Sequence, residues 1–262
     1  MELDHLNRIR LQMEAAERQA AELMLRAHSI LAETKSGRRD VVTEYDRRVQ
    51  ALLMELLSKA VPGAHFFCEE MPERDRLDSG QLFIIDPIDG TMNFVHGFHH
   101  SCISVAYAER GTVLIGAVYN PYVDEMFTAV KGQGAYLNGS AIRVTDAGLA
   151  GSVVCFGTSP YDAALADRTF AMARRVFDLS LDLRREGSAA LDLCTVAAGR
   201  AGLYFELQTS LWDYAAGALI VREAGGQCCR TDGSVFPADG GKTDIVAGSP
   251  AAVADFLRME QA

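Results

Sequence analysis

The chain has 262 residues and a formal net charge of −10, with 49% hydrophobic and 23% charged residues. This length allows one large domain, or two closely packed halves that share a sizeable core. The negative charge argues against nucleic-acid binding, which needs a basic surface, although bound metal ions would still admit an anionic substrate. We also expect no membrane partner, because no apolar run approaches the roughly 18 residues of a transmembrane helix.

The six cysteines are scattered and include no CxxC pair. The N-terminus opens with Glu2 and Asp4 and lacks the apolar core of a secretory signal. We therefore expect a cytoplasmic protein with reduced thiols, without zinc or disulfides.

Two helices are predicted in the N-terminal region. An apolar stripe at three- and four-residue steps over residues 6–30 predicts a long packing helix. Residues 34–40 are polar and predict a loop. A second helix is predicted over residues 44–59, with Thr43 as its N-cap.

The most specific pattern begins with a short apolar strand at residues 82–85. Because Pro87 cannot continue a central ladder, we expect the strand to stop at Asp86 and the chain to leave the sheet. Asp86, Asp89 and Thr91 would then lie on a sharp turn. Two carboxylates three residues apart on a stiff turn suit a hard cation such as Mg²⁺. Taken alone, the stretch is also compatible with an ordinary Asx-turn.

In the remaining chain, the order of predicted strands and helices changes near residue 146. Before it, three strands separated by short turns predict an antiparallel meander; after it, strands and helices alternate. We expect an α/β (mixed α+β) fold of two halves, residues 1–145 and 146–262, that form one catalytic unit. The predicted strands are 65–67, 101–108, 112–119, 125–130, 153–156, 181–185, 202–205, 227–230 and 244–247, and the later helices are 163–177, 188–199, 210–224 and 251–259.

Five acidic residues fall at junctions between these elements: Asp46, Glu69, Asp86, Asp89 and Asp213. Each alone is more often a helix cap or a solvated charge. If they met, their mutual repulsion would demand cations, as in two-metal phosphoryl chemistry.

Three histidines, His96, His99 and His100, also lie close together in the sequence. We expect no metal site there, because the pattern of partner ligands typical of zinc is missing.

At this point two motifs resemble the signatures of the inositol monophosphatase family, within the lithium-sensitive, Mg²⁺-dependent phosphatases. The first is DPIDGT at 86–91, followed by Asn93-Phe94. The second is Trp212-Asp213, followed by Ala216-Gly217 and EAGG at 223–226. The resemblance extends from about Lys35 to Gly226 and includes FCEE at 67–70 and GSAA at 187–190. It implies a layered α/β/α/β/α sandwich that forms a homodimer.

The resemblance also implies two or three Mg²⁺ ions. Glu69, Asp86 and the backbone carbonyl of Ile88 would hold one ion. Asp86, Asp89 and Asp213 would hold a second, with Asp86 as the bridge, and Glu69 would help to hold a weaker third. For Lys35, two roles are open: it could balance the carboxylates or contact a metal-bound water.

Catalytic and substrate roles are carried over in the same way. Thr91, with Asp46 behind it, would orient the water that attacks phosphorus, and the N–H groups of Gly90 and Thr91 would face the phosphate. The implied catalytic set is Thr91, Asp46 and Glu69. The implied substrate-binding set is Asp89, Gly90, Thr91, Gly187, Ala189, Glu206 and Asp213.

The resulting hypothesis is a Mg²⁺-dependent phosphomonoesterase that acts on a small polyol phosphate, with inositol 1-phosphate as the leading candidate. Histidinol phosphate, 3′-phosphoadenosine 5′-phosphate, fructose 1,6-bisphosphate and NADP are alternatives. Cys68, Met92 and residues 208–211 depart from the usual family pattern, so catalysis is better supported than inositol specificity. A non-catalytic binding or regulatory protein on the same scaffold is the alternative from another class.

Overall fold

Helices and two large β-sheets alternate in five layers, α/β/α/β/α, as the family resemblance implied. The computed structural model describes residues 2–28, 30–37, 40–72 and 76–261. Its α-helices are α1 Glu2–Leu25, α2 Glu44–Ala60, α3 Thr91–His96, α4 Ala166–Leu179, α5 Ala189–Ala197, α6 Leu211–Glu223 and α7 Pro250–Gln261. Its strands are β1 Ala32–Gly37, β2 Asp40–Thr43, β3 His65–Cys68, β4 Gln81–Asp89, β5 Cys102–Glu109, β6 Thr112–Asn120, β7 Glu125–Val130, β8 Ala135–Leu137, β9 Ser140–Ile142, β10 Val153–Phe156, β11 Asp182–Arg184, β12 Leu203–Thr209, β13 Gln227–Cys229 and β14 Thr243–Gly248.

The larger sheet has seven strands in the order β3-β4-β5-β6-β7-β8-β9. Strands β3 and β4 run parallel, and every later neighbour pair is antiparallel. The predicted meander is therefore confirmed as β5, β6 and β7. This order puts the ends of β3 and β4 side by side, close to the start of α3.

The smaller sheet has five strands in the order β11-β10-β12-β14-β13. Strand β10 runs parallel to β11 and β12, whereas β14 runs antiparallel to β12 and β13. Helix α5 lies between β11 and β12 in the chain, and α6 lies between β12 and β13. Strand and helix thus alternate in this half, as predicted.

Three apolar cores hold the layers together. One packs α1 and α2 against one face of the seven-stranded sheet, with Met13, Leu53 and Phe83 fully buried. The central core joins the other face of that sheet to α5, α6 and the five-stranded sheet. The third lies under α4 and α7 and is centred on Phe205 and Phe256. Burial on both sides of α5 and α6 explains why these helices are apolar around most of their circumference.

The predicted end of the central strand was wrong. Strand β4 continues through Pro87 to Asp89, with a register irregularity between Asp86 and Asp89. Two features make the proline acceptable. One extra residue bulges out opposite β5, and the ladder with β3 has already ended at Ile85.

The predicted polar loop was also wrong, because β1 and β2 form an antiparallel hairpin there, with Ala32 opposite Thr43. Its side chains from Ala32 to Lys35 are exposed, so the strand carries no apolar alternation that a sequence pattern could reveal. Arg38 and Arg39, which the prediction included, lie outside the described residues.

The first helix begins earlier and ends earlier than predicted, at Glu2 and Leu25. The apolar stripe misled the prediction because Ala27 and Ile30 still pack on the same core without being helical. The second helix was predicted to within one residue. Thr43 caps it by accepting hydrogen bonds from the N–H groups of Tyr45 and Asp46.

The described helices are each too short or too polar to pass through a lipid bilayer. All strands of the seven-stranded sheet lie before residue 143, and all strands of the five-stranded sheet lie after residue 152. The division at residue 146 into halves of one catalytic unit stays a prediction.

Candidate functional site

The predicted carboxylates lie at the ends of elements that meet between the two sheets. Asp86 is 2% exposed, and burial raises the pKa of its carboxyl well above the ordinary value. The negative charges of Glu69, Asp89, Asp213 and Asp46 raise that pKa further, in this order. The other four acidic residues singled out in the sequence therefore all lie within electrostatic reach of Asp86.

Asp89, the last residue of β4, is held by the start of α5. Its Oδ2 accepts hydrogen bonds from the Ser188 hydroxyl at 2.5 Å and from the Ala190 N–H at 2.7 Å. Burial raises the pKa of Asp89 to about 6, although these two hydrogen bonds oppose the rise. Both contacts are made to Oδ2, and they fix the direction of the carboxylate.

Asp213 reaches the same region from the first turn of α6. Its Oδ2 accepts a hydrogen bond of 2.6 Å from the Ser210 N–H in a capping box, a standard way to satisfy a helix start. Burial and the charge of Asp89 raise the pKa of Asp213 well above its ordinary value. Asp213 therefore stabilises the start of α6 and also lies near the other carboxylates.

Thr91 lies between Asp46 and the end of β4. Its Oγ1 is 3.1 Å from the Ile88 carbonyl oxygen and 3.4 Å from Asp46 Oδ1. Asp46 Oδ2 accepts from the Thr43 N–H at 2.7 Å and from the Thr43 hydroxyl at 2.5 Å. Burial raises the pKa of Asp46 to about 6, against the lowering by Thr43. The cap of α2 therefore positions the carboxylate that faces Thr91.

Lys35 places a cation beside this acidic group. Its Nζ donates to Glu69 Oε1 at 2.9 Å and also contacts Glu70. Burial lowers the pKa of Lys35, but the charges of both glutamates and their hydrogen bonds outweigh burial and raise it overall. Lys35 therefore stays charged and offsets part of the negative charge. Sequence reasoning gave Glu70 no role of its own.

Gly90 and Gly187 let the two sides of the site approach closely. Both have left-handed backbones, with φ of +86° and +90°. A Cβ on Gly90 would lie 3.1 Å from the His100 carbonyl oxygen and 3.2 Å from that of Gly187, so a side chain would push the two turns apart. Asn93 Nδ2 ties them by donating to the carbonyl oxygens of His100 and Glu186, both at 2.7 Å.

On the predicted substrate side, Ala189 begins α5 directly after its N-cap, Ser188. The Glu206 carboxylate holds the loop that follows β10. Its Oε1 accepts from the Ser159 N–H at 2.7 Å, and its Oε2 accepts from the Tyr204 hydroxyl at 2.6 Å. A Cβ on Gly157 would lie only 1.9 Å from Glu206 Oε2, so the loop backbone packs directly on this carboxylate. Contact of Glu206 with a substrate stays a prediction.

Sequence reasoning missed Tyr161 in that same loop. The residue is 64% exposed, and its hydroxyl lies within electrostatic range of the acidic region. Burial of the hydroxyl raises its pKa, and the charges of Glu69, Asp213, Asp89 and Asp86 raise it further. An aromatic residue after a strand end was the available signal, but sequence spacing could not show which cleft it enters.

The donor set suits a hard divalent cation, because it consists of carboxylates and one backbone carbonyl. Their mutual repulsion, visible in the raised pKa of Asp86, is the condition that a cation would relieve. Among the described residues, the carboxylates of this set do not form a group of three or more donor atoms that all lie within 4.8 Å of one another. The group that meets this criterion consists of His100, Glu186 and Asp192.

Similarity to known proteins extends over most of the chain. The model of the inositol monophosphatase family matches residues 5–260. "Nus factor SuhB" of Pasteurella multocida is 40% identical over 232 residues, which are 88% of this chain and 86% of that protein. "Inositol monophosphatase 2" of Solanum lycopersicum is 42% identical over 205 residues, covering 75% of this chain and 77% of that protein.

The fold has close solved counterparts as well. The crystal structure of extragenic suppressor protein suhB from Bartonella henselae superposes with a TM-score of 0.89 and 34% identity, covering 96% of this chain and 97% of that one. The family model, which matches residues 5–260, spans both sheets and all the predicted carboxylates. This chain belongs to the inositol monophosphatase family.

Proposed function

We propose that the protein is a Mg²⁺-dependent phosphomonoesterase that hydrolyses a small polyol phosphate, with inositol 1-phosphate as the leading substrate. One observation carries the proposal: Asp86 is buried among Glu69, Asp89, Asp213 and Asp46, whose charges raise its pKa. A folded protein rarely concentrates buried carboxylates in this way without a cation to compensate them.

The proposed ligands of the first Mg²⁺ are Glu69, Asp86 and the Ile88 carbonyl, and those of the second are Asp86, Asp89 and Asp213. A third, weaker ion would share Glu69. When bound, the ions supply Lewis acidity, which activates water and stabilises the charge that develops on the phosphoryl group.

The chain's own residues orient the reactants. The Thr91 hydroxyl is 3.4 Å from Asp46 Oδ1, and a pKa of about 6 leaves Asp46 mostly ionised at neutral pH. An ionised Asp46 accepts a hydrogen bond from the Thr91 hydroxyl, so that a lone pair of Thr91 Oγ1 can accept a hydrogen bond from the attacking water. Glu69 is the proposed third member of the catalytic set, and Lys35 Nζ donates a hydrogen bond to its Oε1. The N–H groups of Gly90 and Thr91 are the proposed phosphate donors.

The alcohol part of the substrate is proposed to lie between α5 and the loop that follows β10. Gly187 and Ala189 provide a small-residue wall there, and Glu206 holds the opposite loop through Ser159. Tyr161 adds an exposed ring at the edge of the acidic region. Histidinol phosphate, 3′-phosphoadenosine 5′-phosphate, fructose 1,6-bisphosphate and NADP remain rival substrates for the same chemistry.

A homodimer in the cytoplasm is part of the proposal. Large apolar side chains on α4 and the segment after it are exposed, which supports a subunit contact on this face: Phe170, Phe177, Leu179 and Leu181. The six free thiols support a reducing compartment. We propose no nucleic-acid or membrane partner for catalysis. Sedimentation equilibrium of the full chain tests the dimer.

A second candidate function is regulatory. It is favoured by the 40% identity to a protein named Nus factor SuhB, because that name does not describe a phosphatase. In this case the chain would bind another macromolecule and would release no phosphate from any small ester.

One experiment separates the two candidates. Phosphate release is measured with excess Mg²⁺ on inositol 1-phosphate, histidinol phosphate, fructose 1,6-bisphosphate, NADP and 3′-phosphoadenosine 5′-phosphate. The Asp86→Asn variant serves as the inactive reference. Asp146→Asn is the matched control, because the Asp146 side chain is 88% exposed in a surface ion pair. Release by the native chain and the control, but not by the reference, supports the phosphatase. No release from any ester supports the regulatory alternative.

A further inference from the structure

A second cluster of possible metal ligands lies outside the carboxylate centre. We propose that His100, Glu186 and Asp192 bind Zn²⁺. Their donor atoms all lie within 4.8 Å of one another, and His100 Nε2 is 3.1 Å from Glu186 Oε2. The three residues come from separate places: the segment before β5, the turn before α5 and the first turn of α5.

The cluster contains buried polar atoms that the protein itself leaves unsatisfied. Asp192 is 1% exposed, and its Oδ1 has no hydrogen-bond partner within the described ranges. The His100 Nε2 atom is also buried. It lies close to Glu186, but its geometry is not that of a hydrogen bond to any described residue. Such orphaned groups are uncommon in native proteins and cost free energy. A metal ion in contact with both atoms would satisfy them.

The chemistry of the donors favours zinc over magnesium. An imidazole nitrogen is a ligand that Zn²⁺ accepts readily, whereas Mg²⁺ prefers oxygen donors alone. The thiol of Cys155 lies next to the Asp192 carboxylate, which adds a soft group to the wall of the cluster. Burial and the charges of Glu186, Glu206 and Asp89 raise the pKa of Asp192, so a cation would also relieve repulsion.

Zinc here would join the two turns that flank the carboxylate centre. The carbonyl oxygens of His100 and Glu186 already share the Asn93 amide, and Ala190, two residues before Asp192, donates to Asp89. The ion would therefore stiffen the support of Asp89 without touching the substrate.

The test uses the full-length, metal-stripped chain, titrated calorimetrically with Zn²⁺ in excess Mg²⁺, which occupies hard carboxylate sites. We expect one Zn²⁺ per chain, in both the native protein and Asp86→Asn. His100→Ala and Asp192→Asn should weaken Zn²⁺ binding at least about tenfold. This is the lower end of the loss in metal affinity when a residue that only supports a ligand is changed, and loss of a ligand itself should cost no less. Glu186→Gln, a milder change at a partly exposed residue, guards against a variant that fails to fold.

His99→Ala is the matched control, because the neighbouring His99 ring stacks on Tyr122 and belongs to no cluster. It should bind Zn²⁺ like the native chain. Co²⁺ gives a second readout, since its visible absorption reports a site of low coordination number and should disappear in His100→Ala. Absence of Zn²⁺ binding in excess Mg²⁺, or equal binding by native, His100→Ala and Glu186→Gln proteins, would overturn the proposal. Neither result depends on phosphatase activity.

Discussion

The Ser188 hydroxyl donates a 2.5 Å hydrogen bond to Asp89 Oδ2, and it joins two residues that are 99 positions apart in the chain. The same hydroxyl accepts from the Leu191 N–H as the N-cap of α5. One side chain thus starts a helix in the second half and orients a carboxylate that ends β4 in the first half. The α5 N-terminus is thereby part of the support of the proposed metal centre.

Ser188→Ala should weaken the response to Mg²⁺. Without the hydroxyl, Asp89 keeps the Ala190 N–H and a long contact from the Cys102 thiol, and its direction is less firmly fixed, so half-maximal activity should need about 10- to 100-fold more Mg²⁺. The measurement is a Mg²⁺ titration of phosphate release. Ser188→Thr keeps a hydroxyl and is the control. Loss of the N-cap costs about 1 kcal/mol by itself, so thermal unfolding is measured in parallel. An unchanged Mg²⁺ requirement in Ser188→Ala would contradict the positioning role.

Asp86→Asn should abolish phosphate release while the protein remains folded. The change removes the charge that is proposed to bridge two ions, and a loss of several kcal/mol of transition-state stabilisation corresponds to about 10³-fold in rate. Because a buried charge among like charges is also removed, the melting temperature should not fall. Turnover and thermal melting of this variant are compared with those of Asp146→Asn. Near-native turnover in Asp86→Asn would exclude the two-metal assignment.

Tyr161→Ala should raise the KM for the preferred substrate several-fold, because an exposed ring at the edge of the acidic region offers apolar contact to the alcohol. Its effect on the Mg²⁺ requirement should be small, since the ring is not a proposed ligand. Tyr161→Phe separates the ring from the hydroxyl, and Tyr136→Ala, an exposed tyrosine on β8, is the control. Equal KM values for all four proteins would show that the ring has no part in binding.

Millimolar Li⁺ should inhibit phosphate release, as the resemblance to the lithium-sensitive phosphatases implies. Li⁺ would compete with Mg²⁺ for the oxygen ligands, so the inhibition should depend on the Mg²⁺ concentration. The assay compares LiCl with NaCl at equal ionic strength, which keeps charge screening constant. Full activity in LiCl would place the chain outside the sensitive group.

Glu17→Met should stabilise the protein at neutral pH. Glu17 on α1 is fully buried, and neither carboxylate oxygen has a hydrogen-bond partner among the residues described. Burial raises its pKa well above 4.5, so the folded state binds a proton that the unfolded state releases. The native protein should therefore lose stability as pH rises above about 4.5, a loss that Glu17→Met avoids.

The expected gain is about 1–3 kcal/mol in the free energy of unfolding at pH 7, and it should shrink toward pH 4.5. Urea unfolding at both pH values measures it. Glu22→Gln, at an exposed position on the same helix, controls for the change in net charge. A gain that is the same at both pH values would mean that burial of the charge is not its cause.

Local patterns were sufficient for most elements of the fold. Thr43 was predicted as an N-cap from residue type and position, and it caps α2. A helix was predicted to begin at residue 188, and Ser188 caps α5. The β5–β7 meander followed from apolar runs separated by turn residues. These features depend on neighbours a few residues away, which the sequence displays directly. The strand through Pro87 was missed because the end of β3 and the bulge against β5 are properties of the assembled sheet.

For the site, the sequence by itself determined the chemical types: Asp86, Asp89 and Asp213 in two motifs, with Glu69 and Asp46 at other element ends. Only the tertiary structure decided which groups support them. The Ser188–Asp89 hydrogen bond, the Tyr161 ring and the cluster of His100, Glu186 and Asp192 all join segments far apart in the chain. Such contacts arise from the packing of two sheets around α5 and α6. The periodicity of apolar residues predicts single helices and strands, but it does not indicate which side chains meet when these elements pack.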